Sequence, residues 1–239
     1  MFRSMVLTAL GVALVAGLVL SAVQALQVSP IIYAAEVFEV AEPVLEAAHV
    51  DGDEHSHDTE TWAPNDGFER IGATVLSNFL AAFGFAILLL VGMLMGRDKA
   101  HMSTSLGRGV LWGLAGYATF FVIPALGLVP EIPGMEAAVL EGRQAWWVLS
   151  VITSVLAFIS LVFLPGYAKL IAVVLFATPW VVGAPQPEFH GFAHPDADAV
   201  VALDALEAQF IVATAMANGL FWIALGGLSG YAATRFIKA

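Results

Sequence analysis

Cysteine is absent from this 239-residue chain. No disulfide ties its loops, and no thiolate is present to bind a soft metal or act as a nucleophile. Charge is scarce too: 12 % of the residues are Asp, Glu, Lys or Arg, against about 25 % in a typical soluble domain. The charge that is present leans acidic, with 20 Asp and Glu against 9 Lys and Arg and a formal net of −11. Nucleic acid is excluded as a partner, because phosphate binding needs clustered Lys and Arg. Catalytic signatures are also missing. There is no Gly-rich phosphate cradle ending in Lys, no His-Glu-x-x-His and no Gly-x-Ser-x-Gly. Glu136 and Glu141 lie close together, but an acidic helix start accounts for them without catalysis. The chain is therefore not read as an enzyme.

What remains is apolar: 59 % of the residues are hydrophobic. A helix needs about 20 such residues in a row to cross a bilayer. Six stretches qualify or nearly so, at residues 5–26, 71–95, 109–128, 146–164, 170–182 and 206–232. The fifth is short and contains Pro179. Charge argues for keeping it. With the N-terminus inside and six crossings, Arg3, Arg97, Lys99, Arg108, Lys169, Arg235 and Lys238 fall on the inner side, and only Arg70 and Arg143 on the outer. That is the positive-inside bias. The expected fold is an all-α integral membrane protein forming one domain. It is a bundle of about six transmembrane helices with acidic, histidine-bearing extracytoplasmic loops and both termini cytoplasmic. Arg3 and the apolar run to Val23-Gln24-Ala25 also resemble a cleaved leader. The run is longer than a usual leader core and Gln24 suits the cleavage site poorly, so it is read as the first span. In that span Ala9, Ala13, Gly17 and Ser21 recur at every fourth position, a stripe that permits close helix packing. Gly109/Gly113 and Gly226/Gly230 repeat the spacing. Trp222 falls inside the last span, where packing in the bundle is expected.

Almost all the acid falls on the outer side, Asp98 being the exception. The longest outer connector, 27–70, holds eleven acidic residues. Within it His49, Asp51, Asp53, His55 and His57 alternate, so an extended backbone would present them on one side. Imidazole and carboxylate together suit Co, Ni, Zn or Mn. His190 and His194 in the third outer connector are candidates to join them; Pro195 disfavours helix at His194. The plain alternative is a solvated acidic loop. The second outer connector, 129–145, is expected to hold a short interfacial helix ending at Trp146 and Trp147. Within the spans the polar candidates are Gln24, Asn78, Thr178 and Asn218. Each needs a hydrogen-bond partner in hydrocarbon. Asn78 and Asn218 offer amide oxygens to a passing ion, and Pro124 and Pro179 free backbone carbonyls; interhelical packing is the alternative for each.

Several stretches, taken in order, resemble the CbtA family of prokaryotic cobalt transporter subunits. They are Trp62-Ala-Pro-Asn-Asp66-Gly-Phe-Glu69-Arg70, Gly109-Val-Leu-Trp112-Gly-Leu-Ala-Gly116, Pro124-Ala-Leu-Gly127-Leu, Pro133-Gly-Met-Glu136-Ala-Ala, Arg143-Gln144-Ala-Trp146-Trp147, Gly183-Ala-Pro-Gln-Pro187 and Asn218-Gly-Leu-Phe221-Trp222. The resemblance implies an inner-membrane part of a cobalt uptake system linked to cobalamin supply, with five spans where six are counted here. It also implies a small single-span partner, CbtB. The matching outer-edge residues Trp62, Asp66, Glu69, Arg70, Glu136, Arg143 and Gln144 would form the mouth. Alternatively Glu69 or Glu136 pairs with Arg70 or Arg143 and pins the loops. Co²⁺ is then cargo, with no cofactor held permanently; ligand chemistry alone does not set it apart from Ni²⁺ or Zn²⁺. Besides lipid and the small subunit, a homo-oligomer is compatible with this reading. The rival reading is a metal-binding membrane scaffold that does not itself conduct the ion.

Overall fold

The computed structural model describes residues 2–40 and 64–237. Among them the chain forms six helices: α1 (Phe2–Glu39), α2 (Phe68–Ala100), α3 (Leu106–Ala125), α4 (Leu140–Phe163), α5 (Gly166–Val182) and α6 (Ala197–Phe236). All but α5 are long and apolar enough to cross a membrane. At 17 residues, α5 reaches about 25 Å, slightly less than the ~30 Å of hydrocarbon. It opens with a 3₁₀ turn, Gly166–Leu170, and returns antiparallel to α4, Phe158 lying edge-on to Phe176 at 5.3 Å. The count is thus five long helices and one shorter one.

Two elements differ from the expected spans because helices outrun the bilayer. The 38 residues of α1 span about 57 Å and the 40 of α6 about 60 Å, twice the hydrocarbon thickness. Residues 27–39, expected to open the first outer connector, are therefore a helical extension of α1. The second connector holds no separate interfacial helix: α4 starts at Leu140 and carries Trp146 and Trp147 in its own body. Both α1 and α3 contain a π turn, Gln24–Val28 and Ala118–Val122. In each a proline follows two residues later, Pro30 and Pro124. Proline cannot donate to the ladder and its ring crowds the preceding turn, so the wider turn lets the helix continue.

Small residues set the packing. Gly109 and Gly113 of α3 face Gly226 and Gly230 of α6 so closely that a Cβ on Gly226 would lie 2.6 Å from the Gly113 Cα. Gly116 leaves room for the Trp222 ring, which is buried and stacks on Phe120 at 5.5 Å. On α1 the stripe Ala9, Ala13, Gly17 and Ser21 is buried, and a Cβ on Gly17 would come within 3.1 Å of the Phe79 Cα on α2. Helix α6 touches α1, α2 and α3, while the α4–α5 hairpin joins the bundle chiefly through α3.

These contacts sort the molecule into two ends. Ser4 donates to the Phe236 carbonyl at 2.6 Å, so the described starts and finishes of the chain share one end. The far end of α1, residues 64–67 and the connectors 126–139 and 183–196 share the other, here called the loop end. Every described acidic residue except Asp98 lies in the loop-end half, together with only Arg70 and Arg143 of the described basic residues.

Candidate functional site

The loop end is built from helix extensions tied together by charge. Arg70, in the first turn of α2, grips Glu36 of α1 through both terminal nitrogens, Nη1 at 3.1 Å from Oε2 and Nη2 on Oε1. It also reaches Asp66 at 3.0 Å and lies 4.7 Å over the Tyr33 ring. Tyr33 and Glu36 are one helical turn apart, so the α1 extension offers a face and an anion to one cation. Glu69 accepts from Asn65 at 2.7 Å and so does not pair with Arg70. Glu39, a further turn along, accepts the Gly134 N–H at 2.7 Å. Gly134 has φ +86°, a left-handed conformation that glycine adopts without cost. Next to it Met135 forms a β-bridge with Phe192. The α1 extension thus meets the connectors 126–139 and 183–196, and a cavity of about 50 Å³ lies where Glu39, Phe38, Gly134, Phe192 and His194 come together.

His194 packs edge-on to Phe38 at 6.3 Å, and its Nδ1 accepts the Asp196 N–H at 3.1 Å. That bond uses one imidazole lone pair and puts the neutral ring's proton on Nε2. An ion at His194 must therefore displace the Asp196 N–H. His190 is exposed four residues earlier. Arg143 holds Glu131 at 2.7 Å, and Gln144 is exposed on the next position, lining an open groove with Glu131 and Trp147. Glu136 is exposed. Both expected cations are thus anchored, but by Glu36, Asp66 and Glu131 rather than by Glu69 or Glu136. Asp66 alone among these partners was read from sequence as a mouth residue. The signal for Glu36 was helical spacing from Tyr33, hidden because length alone ended the span at Leu26.

Deeper in the bundle, Asn78 is buried and donates to Ser21 at 3.0 Å and to Gln24 at 2.6 Å. Ser21 in turn donates to the Gly17 carbonyl. This polar node joins α1 to α2 at the π turn. Asn218 donates to the Thr214 carbonyl of its own helix at 3.0 Å, and Thr178 to the Val174 carbonyl. Pro124 is buried directly beyond the second π turn. The Pro179 carbonyl accepts the Trp146 indole N–H at 3.0 Å, which locks α5 to α4. The two amides Asn78 and Asn218 are not hydrogen-bonded to each other. Among the described residues, no group of three or more His, Asp or Glu gathers to hold a metal. His49, Asp51, Asp53, His55, His57 and Trp62 lie outside the described residues.

A helical membrane bundle with its acid at one end can be compared with known families. The model of the family described as "Probable cobalt transporter subunit (CbtA)" matches residues 2–234. The chain belongs to the CbtA family. No curated protein and no solved structure matches it. CbtA membership fits the all-α membrane architecture and assigns the chain to ion transport, with cobalt as the family's ion. A CbtA chain is described as a subunit, so it works within a transport system that has at least one other component.

Proposed function

We propose that this CbtA chain collects Co²⁺ at its loop end, on the outer face of a prokaryotic inner membrane, and passes it to the cytoplasm. One observation carries the reading: the described acid, apart from Asp98, is gathered at the loop end. The positive-inside bias turns the opposite end, with the termini, to the cytoplasm. The gathered negative charge raises the local cation concentration, by about 10-fold or more at low salt. In this reading His49, Asp51, Asp53, His55 and His57 capture the ion, with His190 and His194 beside them. Glu69 and Glu136, whose carboxylates no cation claims among the described residues, receive it at a mouth framed by Trp62, Asp66, Arg70, Arg143 and Gln144. Asn78 and Asn218, with the carbonyls loosened ahead of Pro124, carry it past a midplane without charge. The inside-negative potential supplies about 4.6 kcal/mol for a divalent ion at 100 mV, twice the single-charge value. A small single-span CbtB-like subunit is the expected partner.

The engagement of Asn78 with Ser21 and Gln24 favours a second reading, in which the chain is a metal-binding scaffold for another transporter. Flux separates the two. Vesicles containing this chain, alone or with the small subunit, are expected to take up Co²⁺ when made negative inside; absence of flux in both preparations assigns the chain to the scaffold. Calorimetric titration of the purified chain tests capture. Replacing His49, His55 and His57 by Ala is expected to weaken Co²⁺ binding at least about 10-fold. Binding by the unaltered chain is expected to fall below about pH 6.5, as imidazole protonates.

A further inference from the structure

Arg143 and Gln144, which frame the proposed mouth, also line an open groove of about 660 Å³ along the start of α4, between that helix and the connector from α3. Its apolar lining includes Leu128, Val129, Trp147 and Val148, and its polar lining includes Glu131 and Arg143. The apolar wall continues past the groove. Val148, Ile152 and Val155 are all exposed and follow at helical spacing, so they form one stripe down the side of α4. Trp147, seven residues into α4, is a ring of the kind that settles between headgroups and chains. The groove therefore opens where a lipid headgroup would sit, above a track for its acyl chain.

Its charge selects among lipids. Arg143 gives Nη1 to Glu131 at 2.7 Å and keeps 29 % of its side chain exposed; its Nε–H is buried out of a lipid's reach, which leaves Nη2 for a ligand in the groove. The guanidinium thus has donors left for another acceptor. Glu131 neutralises it, and Glu141 stands in the first turn of α4, so the groove has no excess positive charge to draw a purely anionic headgroup. A ligand that suits it must bring an anion for Arg143 and its own cation for Glu131. A carboxylate is bound best by a cation that carries N–H donors.

We propose that this groove holds a zwitterionic phospholipid with a primary ammonium, the phosphate on Arg143 with Gln144 beside it and the ammonium on Glu131. Phosphatidylcholine carries the same phosphate but no N–H donor, and phosphatidylglycerol carries no cation. The test is native mass spectrometry of the full chain, equilibrated with equal amounts of phosphatidylethanolamine, phosphatidylcholine and phosphatidylglycerol. The expected result is retained phosphatidylethanolamine, at about 10-fold higher affinity than either competitor, the worth of one charge-assisted hydrogen bond. Equal retention of the three lipids, or preference for another headgroup, overturns the proposal. Arg143→Gln is expected to abolish the preference, but it also breaks the bond to Glu131 and can loosen the connector. Val148→Trp supplies the second arm, because it fills the groove from the apolar wall without touching that pair. With its melting temperature kept, Val148→Trp is expected to lose the lipid; retention at the unaltered level overturns the assignment.

Discussion

Arg70 is the residue on which the loop end turns. It binds the α1 extension, the start of α2 and an aromatic face at once, and it is about 30 % exposed, so water screens only part of the interaction. A double-mutant cycle between Arg70→Gln and Glu36→Gln, followed by thermal or denaturant unfolding in detergent, is expected to give a coupling of about 1 kcal/mol. Coupling near zero would mean that the pair does not anchor α1. Asn78 poses a different question, since the same amide serves packing and conduction. Asn78→Leu leaves Ser21 and Gln24 without their donor and is expected to cost about 1–2 kcal/mol of stability. Under the transport reading it also lowers Co²⁺ entry several-fold in cells lacking other importers. Unchanged entry with folded protein would reduce Asn78 to a packing residue. From sequence, Asn78 and Gln24 stood out as polar groups in hydrocarbon, but not as each other's partners. They are 54 positions apart, and no local pattern encodes that pairing.

Among the elements, α3 and α6 are held by absence of side chain. Gly113→Ala would drive a methyl group into the Trp222 backbone. It is expected to cost about 3 kcal/mol or more, since backbone cannot move aside as a flexible side chain can. Gly84→Ala on α2 meets nothing within 4 Å and is expected to be neutral or stabilising by up to about 1 kcal/mol, the ordinary helix preference. Melting temperatures of the two variants in one detergent check the contrast; similar losses in both would rule out close backbone contact as its origin. The spacing of Gly109/Gly113 and Gly226/Gly230 was legible as a packing signal. That these two pairs face each other was not, because many small-residue stripes in this chain offer the same surface. The π turns also escaped sequence reading: Pro30 and Pro124 announced a disturbance, but a kink, a break and a widened turn share that signal.

For the whole molecule, sidedness is the claim with most consequences. The chain lacks cysteine, so single introduced cysteines report without background. In intact cells, cysteines placed at His55 and His190 are expected to react with an impermeant maleimide, while one at His101 reacts only after permeabilisation. Opposite behaviour of positions 55 and 190 would remove the shared outer surface on which cation collection depends. The shorter α5 enters here as well. It carries the chain from the end holding Ser4 and Phe236 back to the loop end, so that Ala184 comes against Gly127 and Pro185 against Gly142.

Composition and charge were enough to determine the solvent and the helical class, and they set the described acid, Asp98 apart, in the half of the molecule where the structure has it. These are additive properties: the bilayer reads apolar length residue by residue, and orientation follows counts of Lys and Arg. The tertiary structure decided the pairings. It set Arg70 on Glu36 and Arg143 on Glu131, joined Asn78 to the π turn of α1, and placed His194 edge-on to Phe38 while committing its Nδ1 to Asp196. Each depends on which helix faces lie together in space, and packing across distant stretches of chain fixes that.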